Sequence, residues 1–196
     1  MPMASRKLGR RPETPWRPTR AQLVAASTGT VRDVIDEALR VLFVGINPGL
    51  YSAAIRHHFG RPGNRFWPAL HSGGFTPRVL SPFEEFQLLD YSLGITNIVG
   101  RATAKADELT RPELEAGATR LLRKVRRYRP RFVALLGLTS YRAAFNRPRA
   151  VLGRQPEEFA GATLWLLPNP SGLNAHHQPA DLARLFQQLR ANVGRK

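Results

Sequence analysis

The stretch VLFVGINPG, residues 41–49, decides the fold. Its first six residues, VLFVGI, make a continuous apolar run with β-branched side chains, which suits a strand buried on both faces. The run stops abruptly in Gly45-Ile46-Asn47-Pro48-Gly49. A neutral amide therefore stands between two glycines and beside a proline, at the point where a buried strand ends.

Working outward, the same kind of run recurs in GITNIV (94–99), FVALLG (132–137) and TLWLLPN (163–169). Helical signals lie between these runs. VRDVIDEALR (31–40) is a helix-compatible lead-in, and NRFWPALHSGGF (64–75) begins a short helix that ends at Gly73-Gly74. SPFEEFQLLD (81–90) offers Ser81 as N-cap and Pro82 in the first turn. LTRPELEAGATRLLRKVRRY (109–128) starts with Thr110 and Pro112 and keeps apolar positions at helical spacing. TSYRAAFN (139–146) and DLARLFQQLRANV (181–193) complete the set. Short buried strands alternating with helices predict an α/β fold: a three-layer α/β/α sandwich with a short, mostly parallel central sheet. Ligands of such sheets sit beyond the carboxyl ends of the strands. Two unusual loops fall at such ends, GINPG (45–49) and PNPSGL (168–173).

A chain of 196 residues is long enough for one domain with a proper core and short for two. Residues 1–30 differ from the rest: Arg6, Lys7, Arg10, Arg11, Arg17 and Arg20 face the single acid Glu13, and prolines discourage helix. They read as a flexible tail or as a basic arm along phosphates, two compatible readings. Residues 31–196 then form a single domain. Over the whole chain, 30 Lys+Arg against 14 Asp+Glu leave +16, a field that favours a polyanionic partner. The alternative is a surface made basic for solubility alone. Cysteine is absent, which removes disulfides, thiolate nucleophiles, Cys-ligated zinc and iron–sulfur clusters. With no apolar stretch of membrane-spanning length and no apolar signal core, a cytoplasmic protein is expected.

GINPG could cradle a phosphate, but Pro48 has no N–H to offer, and neither the P-loop nor the dinucleotide spacing is present. A tight Gly/Pro turn is the plainer reading. Against it stands the second loop, also Asn-Pro, followed by Ser-Gly. In LLPNPSGLNAHH (166–177), Leu173 stands at the tip of a turn, either tucked into the core or exposed as a wedge between bases. Burying one leucine is worth about 1.5–3 kcal/mol, close to the few kcal/mol that unstacking a base step costs.

GINPGLYSA (45–53), RPGNRFWPAL (61–70) and LPNPSGLNAH (167–176), in this order, closely resemble the mismatch-specific uracil-DNA glycosylases, the branch that includes thymine-DNA glycosylase. LLDYSLGITNIVGR (88–101) belongs to the same resemblance, which runs from about residue 39 to the final helix. It implies the uracil-DNA glycosylase fold and base excision: uracil, chiefly from G:U mismatches, is flipped out of duplex DNA and its N-glycosidic bond is hydrolysed to leave an abasic site. Asn47 matches the residue that positions water. Gly45, Ile46, Pro48, Gly49, Ser52, Phe59 and Asn169 match the base pocket, with Phe59 as stacking platform and Ser52 near the C5 edge. Pro170, Ser171, Gly172 and Leu173 match the insertion loop. Where those relatives carry an arginine soon after the leucine, this chain has Asn174-Ala175-His176-His177.

Asp90, at the end of an apolar helix, is a second candidate water activator, or else organises the turn into Tyr91-Ser92. Glu84 and Glu85 read as solvated, and Phe66 and Trp67 as core. Asn64 reads as a helix N-cap. His176 and His177 lack a nearby third ligand for a metal. The expected enzyme is monofunctional, because neither loop holds a lysine, and it is a monomer with no metal or organic cofactor. Rival readings are a broader uracil glycosylase accepting A:U pairs or single strands, and a damage-binding module that does not cut.

Overall fold

The computed structural model describes residues 17–172, 174 and 176–194. Five strands form one sheet: β1 (Val41–Gly45), β2 (Leu93–Asn97), β3 (Phe132–Leu136), β4 (Gly153–Phe159) and β5 (Ala162–Leu167). Their order is β2-β1-β3-β5-β4. β1 lies parallel to β2 and β3, and β3 lies parallel to β5, with Val41 opposite both Leu93 and Phe132. Only β4 is antiparallel, on β5. The sheet is short and mostly parallel, as the pattern of buried runs implied.

Alternate residues of the strands feed two cores. Val41, Phe43, Leu93, Ile95, Phe132, Ala134, Trp165 and Leu167 pack with α3 (Phe66–Ser72), α6 (Pro179–Val193) and the 3-10 helix Pro82–Tyr91. Leu42, Val44, Val133, Leu135, Leu164 and Leu166 pack with α4 (Arg111–Tyr128) and α5 (Leu138–Ala144) on the other face. A strand buried on both faces has no polar alternation to show. That is why VLFVGI reads as a continuous run.

Local chemistry fixes the helices. Thr110 and Glu113 form a reciprocal capping box on α4, with Thr110 N–H donating to Glu113 Oε2 at 2.9 Å. At its other end Arg129 takes a left-handed φ of 47° and Pro130 follows. Ser81 and Glu84 form a second capping box, but the helix that follows is 3-10 rather than α.

Four elements differ from the sequence reading. Residues 31–40 form no helix: Val34 exchanges both backbone hydrogen bonds with Ile95 (2.9 and 2.7 Å) at the β2 edge, and a turn follows at 37–38. Within the stretch read as an arm, Arg20–Ala25 is a helix (α1), capped by Thr19 and Gln22 and packed against α2 (Leu50–Ile55). α2 itself carries no sequence signal beyond Gly49 as its N-cap. β4 was hidden by Pro156 and its charges, which an edge strand tolerates. Among the described residues no helix is long and apolar enough to cross a membrane.

Candidate active site

A cleft of about 240 Å3 opens at the carboxyl ends of β1, β2 and β5. Gly45, Ile46, Asn47, Pro48, Gly49, Ser52, Phe59, Asn169 and Ser171, all named from sequence, line it together.

The first loop is built by β1 continuing beside the segment after β2. Ile98 and Val99 N–H donate to the carbonyls of Gly45 and Ile46, both at 2.9 Å, and Thr103 N–H donates to Pro48 O at 3.1 Å. Asn47 stands in the middle of this double strand of backbone. Its Nδ2 donates to Thr103 Oγ1 (2.7 Å), Arg101 O (2.9 Å) and Pro48 O (3.2 Å). Two of these acceptors are carbonyls, so the amide can be oriented in only one way. Its Oδ1 accepts no hydrogen bond from the described residues.

Gly45 must be glycine for a packing reason. A Cβ there would overlap Asn97 Oδ1 and stand 3.4 Å from the Phe59 ring. Asn97 closes β2 and forms the floor of the cleft, although no sequence signal singled it out. Phe59 is half-buried and holds a left-handed φ of 50°. Its ring stacks on Phe66 at 4.1 Å, so the cleft wall is the outer layer of the aromatic core. Ser52 is buried, and its Oγ accepts from Gly60 N–H at 3.0 Å. It fastens α2 to the turn that carries Phe59.

The turn has a second anchor. Glu85, read as solvated, is 1 % exposed. Its carboxylate accepts from His58 N–H at 2.8 Å and meets His57 Nδ1 at 2.8 Å. His58 is equally buried, with Nε2 3.0 Å from the Arg32 carbonyl and Nδ1 3.4 Å from Asn97 Nδ2. Burial holds its pKa below the ordinary histidine value, against opposing pulls from Glu85, the Arg32 carbonyl and Asp33.

The second loop hangs from Arg65. That guanidinium donates to the carbonyls of His177 (2.6 Å), Asn174 (3.1 Å) and Gly172 (3.3 Å), and Arg65 N–H donates to Pro170 O (2.9 Å). Gly172 lies against Gly63, where any Cβ would overlap the Gly63 carbonyl. Asn169 Oδ1 accepts from Ser171 N–H at 3.0 Å, and Asn174 Nδ2 donates to Asn169 O at 3.0 Å. Asn174 is thus a brace within the loop. Leu173, the expected wedge, lies outside the described residues.

Asp90 is not part of this site. It is exposed and lies in the last turn of the 3-10 helix just before β2, at the amino edge of the sheet, whereas the cleft lies at the carboxyl edge. Sequence proximity to β2 suggested a neighbour of Asn47, but the strand itself separates them. Asn64 stands one residue before the N-cap of α3, with Oδ1 accepting from Phe66 N–H at 2.9 Å, and it also lines the cleft.

Lys105, Arg61 and Thr103 line the cleft as well, and no reading of the two loops found them. Lys105 also borders an adjoining cavity of about 650 Å3, with His176 and His177 on its rim. No group of three or more metal-ligating His or acidic side chains exists among the described residues. The most basic run behaves differently: Arg126, Arg127, Arg129 and Arg131 are exposed just before β3 begins, at the edge away from the cleft.

The class defined by these features is a mostly parallel α/β sheet with a cleft at its carboxyl edge, walled by the Phe59 ring and lined by the amides of Asn47, Asn97 and Asn169. The particular family is given by comparison. A family model described as "Uracil DNA glycosylase superfamily" matches residues 32–190, and the chain belongs to that superfamily. Among solved structures, the fold is similar to the solution structure of a Methanosarcina acetivorans protein described as a candidate uracil DNA glycosylase. That likeness has a TM-score of 0.56 at 17% identity, covering 83% of this chain and 98% of the other.

Proposed function

We propose that the cleft receives a uracil flipped out of duplex DNA, chiefly from a G:U mismatch, and that the protein hydrolyses its N-glycosidic bond to leave an abasic site. The observation that carries this reading is the state of Asn47: its amide nitrogen is fully engaged, and its oxygen is left for a water. An amide cannot take a proton as a general base. It suffices where the C1′–N1 bond breaks first, giving an oxocarbenium-like sugar and a uracil anion. Water then adds to C1′, its proton is released, and the anion leaves and is protonated. Positioning is the larger need of such a step.

Phe59 supplies the stacking face, worth about 1–3 kcal/mol per base. Asn97 supplies an amide edge for the base's hydrogen-bonding edge. Leu173 fills the gap left in the duplex, and a mismatched base is favoured because less pairing is lost on flipping. The reaction is monofunctional and the protein acts as a monomer.

Single-turnover release of uracil from G:U, A:U and single-stranded substrates tests this reading. Release should be fastest from G:U, and borohydride should trap no covalent enzyme–DNA adduct. Equal rates on all three would replace mismatch preference with broad uracil specificity. Trapping that disappears in Lys105→Arg would replace hydrolysis by water with attack by an amine. A folded protein that binds these substrates and releases no uracil would leave only the damage-binding alternative.

A further inference from the structure

The buried imidazole of His58 carries no part of the reaction just described, yet it touches Asn97, a cleft amide with a donor at one end and an acceptor at the other. We infer that His58 is a positioning residue: it locks the Asn97 amide in the orientation that accepts uracil and rejects cytosine. The inference rests on the reading of Asn97 as the residue that meets the base.

The geometry fixes the hydrogens. The Arg32 carbonyl, 3.0 Å from Nε2, can only accept, so Nε2 carries the proton. In the neutral ring Nδ1 is then a lone pair. The group 3.4 Å away on Asn97 must donate, which assigns the amide nitrogen to the His58 side and the oxygen to the Gly45 side. Turning the amide over would set two acceptors against each other inside a buried site, where an unmatched polar contact is expensive. Gly45 adds to the lock, since its missing Cβ is the space that Oδ1 occupies.

A freely turning amide reads either pyrimidine. Uracil presents N3–H and O4, so it pairs with an amide that offers its oxygen at N3 and an N–H at O4. Cytosine presents an N3 lone pair and an N4 amine, the reverse pattern. In the locked orientation cytosine would set lone pair against lone pair and N–H against N–H. Protonated His58 would donate from Nδ1 and turn the amide, exchanging the two patterns.

The groups around the imidazole oppose one another. Burial and His57 favour the neutral ring, whereas Glu85, the Arg32 carbonyl and Asp33 favour the cation. Burial is the largest effect and pushes the imidazole below its ordinary value, so the neutral ring is favoured at pH 7 and the lock fails on the acid side.

Three readouts test the inference. Nitrogen-15 NMR of the ring at neutral pH should show the proton on Nε2. Free uracil should bind the cleft in preference to free cytosine, and His58→Phe, which keeps a flat ring without nitrogens, should narrow that preference about tenfold. Uracil release by the wild type should fall on the acid side, and His58→Phe should lose that acid limb. A proton on Nδ1 would overturn the inference, as would an unchanged preference and acid limb in folded His58→Phe. Should that variant not fold, the tautomer and the wild-type acid limb decide. Uracil release with the wrong tautomer would sink the lock alone. No uracil binding or release by the wild type would sink the reading of the site, and the lock with it.

Discussion

The two Asn-Pro loops at the carboxyl edge of the sheet use the same dipeptide in opposite senses. In the first, Asn47 spends its nitrogen on Thr103, Arg101 and Pro48, and keeps its oxygen for the cleft. In the second, Asn169 spends its oxygen on Ser171 N–H, and the loop is held from outside by Arg65. One asparagine is a fixed acceptor facing the cleft; the other is a turn-former that shapes the loop. The difference comes from what runs alongside. Loop one lies against a parallel backbone segment rich in carbonyls, and loop two lies against a glycine turn and a guanidinium.

That contrast can be broken in order of expected effect. Asn47→Ala should cut single-turnover uracil release on the order of 10²–10³-fold with the fold intact, whereas Asn169→Ala should cost on the order of tenfold. Equal losses would mean that the two asparagines share one role. Arg65→Ala removes the outer clamp from loop two and should destabilise by about 1–2 kcal/mol, read as a lower melting temperature. Its rate loss should be greater on duplex than on single-stranded substrate, because only the duplex needs an ordered insertion loop.

Smaller effects test the surroundings. Glu84 is held at a pKa of about 2, first by the Arg78 hydrogen bond and next by Ser81 N–H. A depressed carboxylate pKa contributes stability above its unfolded value of 4.5, and that contribution is lost as pH falls towards about 2. Arg78→Ala should therefore lower the melting temperature slightly at pH 7, by an amount that shrinks as pH falls through about 2. Asp90→Asn should leave the rate and its pH profile unchanged. A collapse there, in folded protein, would place a carboxylate in the chemistry against its position at the far edge of the sheet.

The strands that hold the cleft were legible because each is buried on both faces and so reads as a plain apolar run. β4 was not, since an edge strand with alternating burial admits Pro156 and three charged residues. The two motif loops were legible because Gly, Pro and Asn have few reasons to cluster. The residues between them were not: Asn97 is one polar residue at the end of an apolar strand, and Thr103 and Lys105 enter the cleft only through the parallel run of two loops. Glu85 shows the limit most clearly. Nothing in SPFEEFQLLD distinguishes the carboxylate that caps Ser81 from the next one, which turns inward to hold His57 and His58.

The aromatic wall also gives the protein an optical handle. Phe59 stacks on Phe66, and Phe66 meets Trp67 edge-on at 5.2 Å. The Trp67 indole is 4 % exposed, and its Nε1 has no hydrogen-bond partner among the described residues. An indole in so apolar a setting emits at the short-wavelength end of the tryptophan range. A planar ligand settling on Phe59 would press on a stack only two rings deep, and the emission of Trp67 would register its arrival before any bond is cut.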